Sequence, residues 1–145
     1  MRGLDARQRD LIQDVFNEGL SPYSLSALEK DFHLSFILER LSSSQSERAG
    51  LVLCGGTSLV KGHELIARMS EDMDFKVVVA SDFSKNQRSL FLSGLKRHIT
   101  SLLADDGFVV ENVSAHDQNS FFSIELAYRH VFPIEAALRP HILLE

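Results

Sequence analysis

Residues 51–75, LVLCGGTSLVKGHELIARMSEDMDF, decide the reading of this chain. The apolar run Leu51–Cys54 has the length and character of a buried strand. It breaks at Gly55-Gly56, and the spacing predicts an amphipathic helix opening at Thr57-Ser58. A second strand follows, and it begins with Asp72 and Asp74. Strand side chains alternate with period two, so these two carboxylates share a face, while Met73 and Phe75 point into a core. Taken singly, Gly-Gly after a strand is a tight turn, and Asp-X-Asp is a solvated strand end. Within one short strand–turn–helix–strand unit, they suit a nucleotide with its divalent metal: amides at a helix N-terminus for phosphate, and paired carboxylates for the cation.

Working outward, residues 5–18 read as a helix with Leu11, Ile12, Val15 and Phe16 on one side and Gly19 as its stop. A second helix spans about Ser26 to Leu41, where Leu28, Phe32, Phe36, Ile37 and Leu41 recur at helical steps. Ser42–Ser46 is a polar loop too short to separate domains. Downstream, a helix is expected from about Gln87 to Ala104. Strands follow at Phe108–Val113 and Phe121–Val131, joined by a polar turn at residues 116–119 and stopped by Pro133. A turn of helix is expected at Ala136–Leu138 and a last strand at His141–Glu145. The order αα, βαβ, α, βββ predicts an α+β fold, a mixed sheet with helices on one face.

The chain has 145 residues, 44% of them hydrophobic and 24% charged, which fits one globular domain over residues 1–145. No window approaches the roughly twenty apolar residues of a membrane span, and MRGLDARQRD has no apolar signal core. We therefore expect a cytoplasmic protein without a membrane partner. The single Cys54 fits a reducing compartment and is expected as a small buried hydrophobe. A net charge of −5 is not that of a general nucleic-acid coat. Lys85, Arg88, Lys96 and Arg97 form the best basic patch, which reads first as a solvated helix face. The six histidines lack the spacing of a zinc site, and GGTSLVKG is not a P-loop.

Three segments together resemble one family. GGTSL, a lysine, then R-x-S-E-D-x-D-F is similar to the AbiEii/AbiGii branch, which includes the MenT toxins, of the polymerase-β-like nucleotidyltransferases. Glu29-Lys30-Asp31-Phe32 heads a helix at the distance found in similar proteins. LRPHILLE, at residues 138–145, resembles the strand that bears the family's third carboxylate. The resemblance implies a polymerase-β-type palm and transfer of NMP from an NTP, held with Mg²⁺ or Mn²⁺, to an RNA (tRNA) or protein acceptor. It also implies a toxin role with an antitoxin partner. Asp72 and Asp74 are then catalytic and metal-binding, with Glu145 preferred over Glu125 as the third carboxylate. Gly55, Gly56, Thr57, Ser58, Lys61 and Arg68 become the nucleotide-binding candidates. Lys30 and Asp31 are expected as an ion pair bracing the site. Full-length relatives continue into a helical domain, so this chain is expected to be a fragment lacking it or a naturally short form. The alternative to an enzyme is a catalytically weak nucleotide-binding or partner-binding module of the same fold.

Overall fold

The computed structural model describes residues 1–43, 49–62, 69–117 and 120–145. Helix α1 (Ala6–Asn17) starts at a capping box in which the Asp5 side chain accepts from the Gln8 amide and the Gln8 side chain accepts from the Asp5 amide. It stops before Gly19, whose φ of +65° suits glycine. Helix α2 (Leu25–Ser42) is capped by Ser24. Strand β1 (Ala49–Cys54) runs into a short helical turn, α3 (Gly55–Thr57), which widens into a π-helical turn at Ser58–Gly62. Helical backbone thus begins two residues before the expected Thr57, at the first glycine.

Strand β2 (Asp72–Val79) is followed by α4 (Lys85–Asp105). That helix begins earlier than its apolar pattern because Ser84 and Gln87 form a second capping box. Strands β3 (Val109–His116) and β4 (Phe121–Ala127) make the expected hairpin. β4 is shorter than predicted, and Pro133 is not what ends it. The Arg129 amide donates to the Arg2 carbonyl at 2.7 Å, and the Val131 and Phe132 amides donate to the Glu29 carboxylate at 2.8 and 3.1 Å. These competing acceptors pull the backbone off the sheet. Ala136–Leu138 is a single turn, closed by the Leu138 amide on the Glu135 carbonyl, and not a helix. Strand β5 is Ile142–Leu144.

Among the described residues, the strands of the sheet order as β1-β2-β5-β4-β3. β2 and β5 are parallel, and every other neighbouring pair is antiparallel. The sheet is mixed and the fold is α+β, as its element order predicts. One face of the sheet packs Met73, Ile124, Leu126, Ile142 and Leu144 against Leu34, Ile37 and Leu41 of α2 and Ile99 and Leu103 of α4. Both long helices therefore cover the same face. Phe75 packs on this core as well. Asp72, Asp74 and Glu125 occupy alternate positions and so lie on the other face. Among the described residues, no helix is long and apolar enough to cross a membrane.

His33 of α2 is fully buried beside Phe108 and Tyr128, and neither ring nitrogen has a hydrogen-bond partner among the described residues. Burial, helped by the nearby cations of Arg2 and His130, pushes its pKa down to about 3. The unfolded chain binds this proton below pH 6.5, whereas the folded chain resists it until about 3. Stability is therefore whole above 6.5 and declines as pH falls through that window. His33→Leu should remove up to about 1.4 kcal/mol per pH unit from the acid slope. Urea midpoints of both proteins between pH 7 and 4 measure it, and identical slopes would contradict the assignment.

Candidate active site

The antiparallel pairing of β1 with β2 sets Cys54, the last residue of one strand, opposite Asp74, near the start of the other. The chain leaves β1 at Gly55 with φ of +63°. A Cβ at Gly55 would lie 1.9 Å from Asp74 Oδ2, far inside contact distance. Glycine is therefore required twice here, for the left-handed backbone and for the carboxylate pressed against it. The glycine turn and the Asp-X-Asp strand meet as the sequence predicts. Cys54 falls on the carboxylate face beside Asp74 and is half-exposed rather than buried, with its thiol 3.4 Å from the Val52 carbonyl.

Thr57 is buried, and its hydroxyl donates to the Asp72 carbonyl. With its only proton so placed, it accepts from Ser70 Oγ at 2.7 Å. This side chain fixes the backbone at the start of β2. The Ser58 amide bonds the Gly55 carbonyl, and the amides ahead of it, those of Gly55, Gly56 and Thr57, stand in the first turn, where helix geometry provides no intrahelical acceptor. Lys61 turns toward α2, where its Nζ lies 2.6 Å from Asp31 Oδ1 and 2.8 Å from Ser35 Oγ. Arg68 lies outside the described residues.

The Glu29-Lys30-Asp31 run at the head of α2 is an anchor with three separate grips. Glu29 accepts from the Val131 and Phe132 amides. Lys30, 1% exposed, donates to Glu71 Oε2 at 2.6 Å and to the Arg139 carbonyl at 3.1 Å. Asp31 takes Lys61. Lys30 and Asp31 are thus not paired with each other, because adjacent residues on a helix point away from one another. Burial lowers the Lys30 pKa, opposed by the bond to Glu71. Burial would raise that of Glu71, but the Lys30 hydrogen bond, the Arg139 amide at 2.8 Å and both neighbouring cations bring it below the usual carboxylate value.

Arg139 was not among the sequence candidates. Its Nη1 lies 2.9 and 3.0 Å from the two Asp72 oxygens, so a guanidinium clasps the first carboxylate of the pair. The only trace of this in the sequence is LRP itself, which reads as an approach to a strand. Glu145 stands next to Asp74: its amide donates to the Met73 carbonyl at 2.9 Å and its carbonyl accepts from the Phe75 amide at 2.8 Å. The parallel register Asp72↔Leu143 and Met73↔Leu144 thereby continues to Asp74 and Glu145, one strand spacing of about 4.8 Å apart. Glu125 pairs with Leu143, which pairs with Asp72, so it lies on the same face but two strands over, at roughly 10 Å. Among the described residues, no three acidic, histidine or cysteine side chains converge on one point. The carboxylates form a row, and among the described residues Arg139 is a cation in contact with it. All-oxygen donors of this kind fit a hard divalent cation such as Mg²⁺ or Mn²⁺, and the guanidinium stands where positive charge is already favoured.

A comparison with curated proteins gives no match, and none is found among solved structures. Residues 37–145 match the family model described as the nucleotidyl transferase AbiEii toxin of a Type IV TA system. The matched region holds the glycine turn, both aspartates, Arg139 and Glu145, and this chain belongs to the AbiEii nucleotidyl transferase toxin family.

Proposed function

We propose that this chain transfers a nucleoside monophosphate from an NTP to an RNA (tRNA) or protein acceptor, as the toxin of a cytoplasmic toxin–antitoxin pair. The observation that carries the reading is the Gly55 backbone pressed onto Asp74, with Asp72 and Glu145 on the same face. Asp72, Asp74 and Glu145 hold the divalent cation that accompanies the nucleotide. The Gly56 and Thr57 amides receive phosphate oxygens. Thr57 and Ser70, bonded to each other and to the Asp72 carbonyl, keep that turn and the aspartates in one frame. Such a cation, when bound, neutralises phosphate charge and makes the attacking hydroxyl more acidic. The attacking oxygen bonds the α-phosphorus, the bond from that phosphorus to the bridging oxygen breaks, and pyrophosphate departs. The chain supplies position and charge rather than a covalent intermediate. Residues 1–145 form the transfer domain.

A second reading, a binding module with slow or no transfer, is favoured by one observation, the Arg139 guanidinium on Asp72. Labelled-NTP transfer to total RNA and to protein, with Mg²⁺ or Mn²⁺, separates the two. On the enzyme reading, Asp72→Ala and Asp74→Ala each lower transfer by at least about a hundredfold. Their melting curves stay cooperative, because both side chains lie outside the core. Full transfer by either variant would overturn the mechanism, and nucleotide binding without transfer by the parent chain would favour the module.

Arg139 gives an independent handle. A partly exposed ion pair contributes about 0.2–1 kcal/mol, so Arg139→Gln should tighten Mg²⁺ or Mn²⁺ binding in the absence of nucleotide by roughly 1.4- to fivefold. Calorimetric titration measures it, and an unchanged or weaker affinity would show that the guanidinium does not compete with the cation for Asp72.

A further inference from the structure

Residues 136–140 belong to no helix or strand, yet the backbone around Arg139 is held at three points. The Arg139 amide donates to Glu71 Oε2 at 2.8 Å, its carbonyl receives Lys30 Nζ at 3.1 Å, and the Pro140 carbonyl lies 2.9 Å from His130 Nε2. The side chain carried on this base is 51% exposed and meets the acidic row end-on. Nη1 alone straddles the two Asp72 oxygens, at 2.9 and 3.0 Å. A guanidinium has N–H donors on three nitrogens and grips an oxyanion best through two parallel bonds. Nε and Nη2 have no hydrogen-bond acceptor among the described residues. The base is thus fixed while the fork is left open, and the carboxylate it rests on is one that a divalent cation also needs.

The glycine turn and Arg139 approach β2 from opposite sides. β1, which leads into Gly55, pairs with one edge of β2, and β5, which follows Arg139, pairs with the other. Amide donors and a guanidinium therefore flank Asp72 and Asp74. Lys61 is taken by Asp31 and the buried Lys30 by Glu71, whereas the Arg139 pair is exposed and weak enough to exchange. We propose that Arg139 is a phosphate-binding residue of this site, its guanidinium passing from Asp72 to the outer phosphates of the NTP as Asp72 takes up the cation. This role rests on the nucleotide-transfer reading of the site and adds to it a binding residue and an order of contacts. Asp72 cannot give both oxygens to a cation and keep Nη1 between them. The phosphate tail that arrives with the cation offers the displaced guanidinium oxygens of higher charge, and Nε and Nη2 supply the fork. Positive charge on that flank then favours the departing pyrophosphate, on which negative charge builds up.

Calorimetric titration of the parent chain and Arg139→Gln tests it with three probes: Mg²⁺ alone, inorganic triphosphate at saturating Mg²⁺, and nucleoside monophosphates at saturating Mg²⁺. A residue that only blocked Asp72 would, once removed, tighten all three. A phosphate-binding Arg139 gives opposite signs. In Arg139→Gln, Mg²⁺ alone binds more tightly, while inorganic triphosphate binds at least about tenfold more weakly and the monophosphates change by less than about twofold. Arg139→Lys, which keeps the charge without the fork, falls between parent and Arg139→Gln for triphosphate. Melting curves of both variants stay cooperative, because the bonds that anchor residue 139 are made by its backbone. Triphosphate binding that is equal or tighter in Arg139→Gln overturns the assignment and leaves the guanidinium as a plug on Asp72. An equal loss for the monophosphates overturns its placement on the outer phosphates. A parent chain that binds neither inorganic triphosphate nor any NTP overturns the nucleotide reading itself, a result distinct from the other two.

Discussion

The rest of the site depends on one register, Cys54 opposite Asp74 in the antiparallel β1–β2 pair. Because β1 ends where β2 begins, the backbone that leaves β1 must turn directly over the aspartates. Only a residue without Cβ can make that turn, since Asp74 Oδ2 already fills the place a Cβ would take. A shift by one residue would carry Asp72 and Asp74 to the core face and bring Met73 out, exchanging a buried methionine for two buried charges. Register, turn and carboxylate geometry are therefore one constraint. Thr57 locks it from beneath by bonding the Asp72 carbonyl.

Around that frame, α2 acts as a charged anchor. Glu29, Lys30 and Asp31 each hold a different segment: the chain after β4, the residues beside Asp72, and the π-helical turn after Gly55. Lys30, as deeply buried as Glu29, bonds both Glu71 and the Arg139 carbonyl. It fixes the two residues that flank Asp72, one in sequence and one in space. Removing Glu71 would leave the buried Lys30 charge without its carboxylate, which costs more than the pair itself contributes. The motif at the head of α2 thus belongs to the site without touching its carboxylates.

The two faces of the sheet divide the labour. One is covered by α2 and α4 and closed by Met73, Ile124, Leu126, Ile142 and Leu144. The other carries the acidic row, with Val52 and Val78 exposed beside it. An open sheet face with charges placed by a rigid ladder is well suited to receive a polyanion with its counter-cation, because the donors are ordered before anything binds. The short β5 is the weakest part of this arrangement. It sits in the middle of the sheet, yet it pairs with β2 and β4 over only a few residues.

Much of this was legible in the residues. Period two separated Asp72 and Asp74 from Met73, the Gly-Gly break marked the turn, and helical periodicity located α1, α2 and α4, because each is a local pattern enforced by backbone geometry. The family, too, could be read from the motif strings. Local pattern could not show which side chains meet across long separations. Arg139 on Asp72, Lys30 on Glu71 rather than Asp31, and Lys61 on Asp31 of α2 all join residues far apart in the chain. The end of β4 shows the same limit: Pro133 looked decisive, yet Arg2 and Glu29, folded in from the N-terminal part of the chain, had already taken the amides. The sequence by itself determined the elements and the facing of their side chains, since these follow from dihedral period. Tertiary structure decided the partners of the charges and the neighbour of Glu145, since those depend on which strand edges and helix ends the packed core brings together.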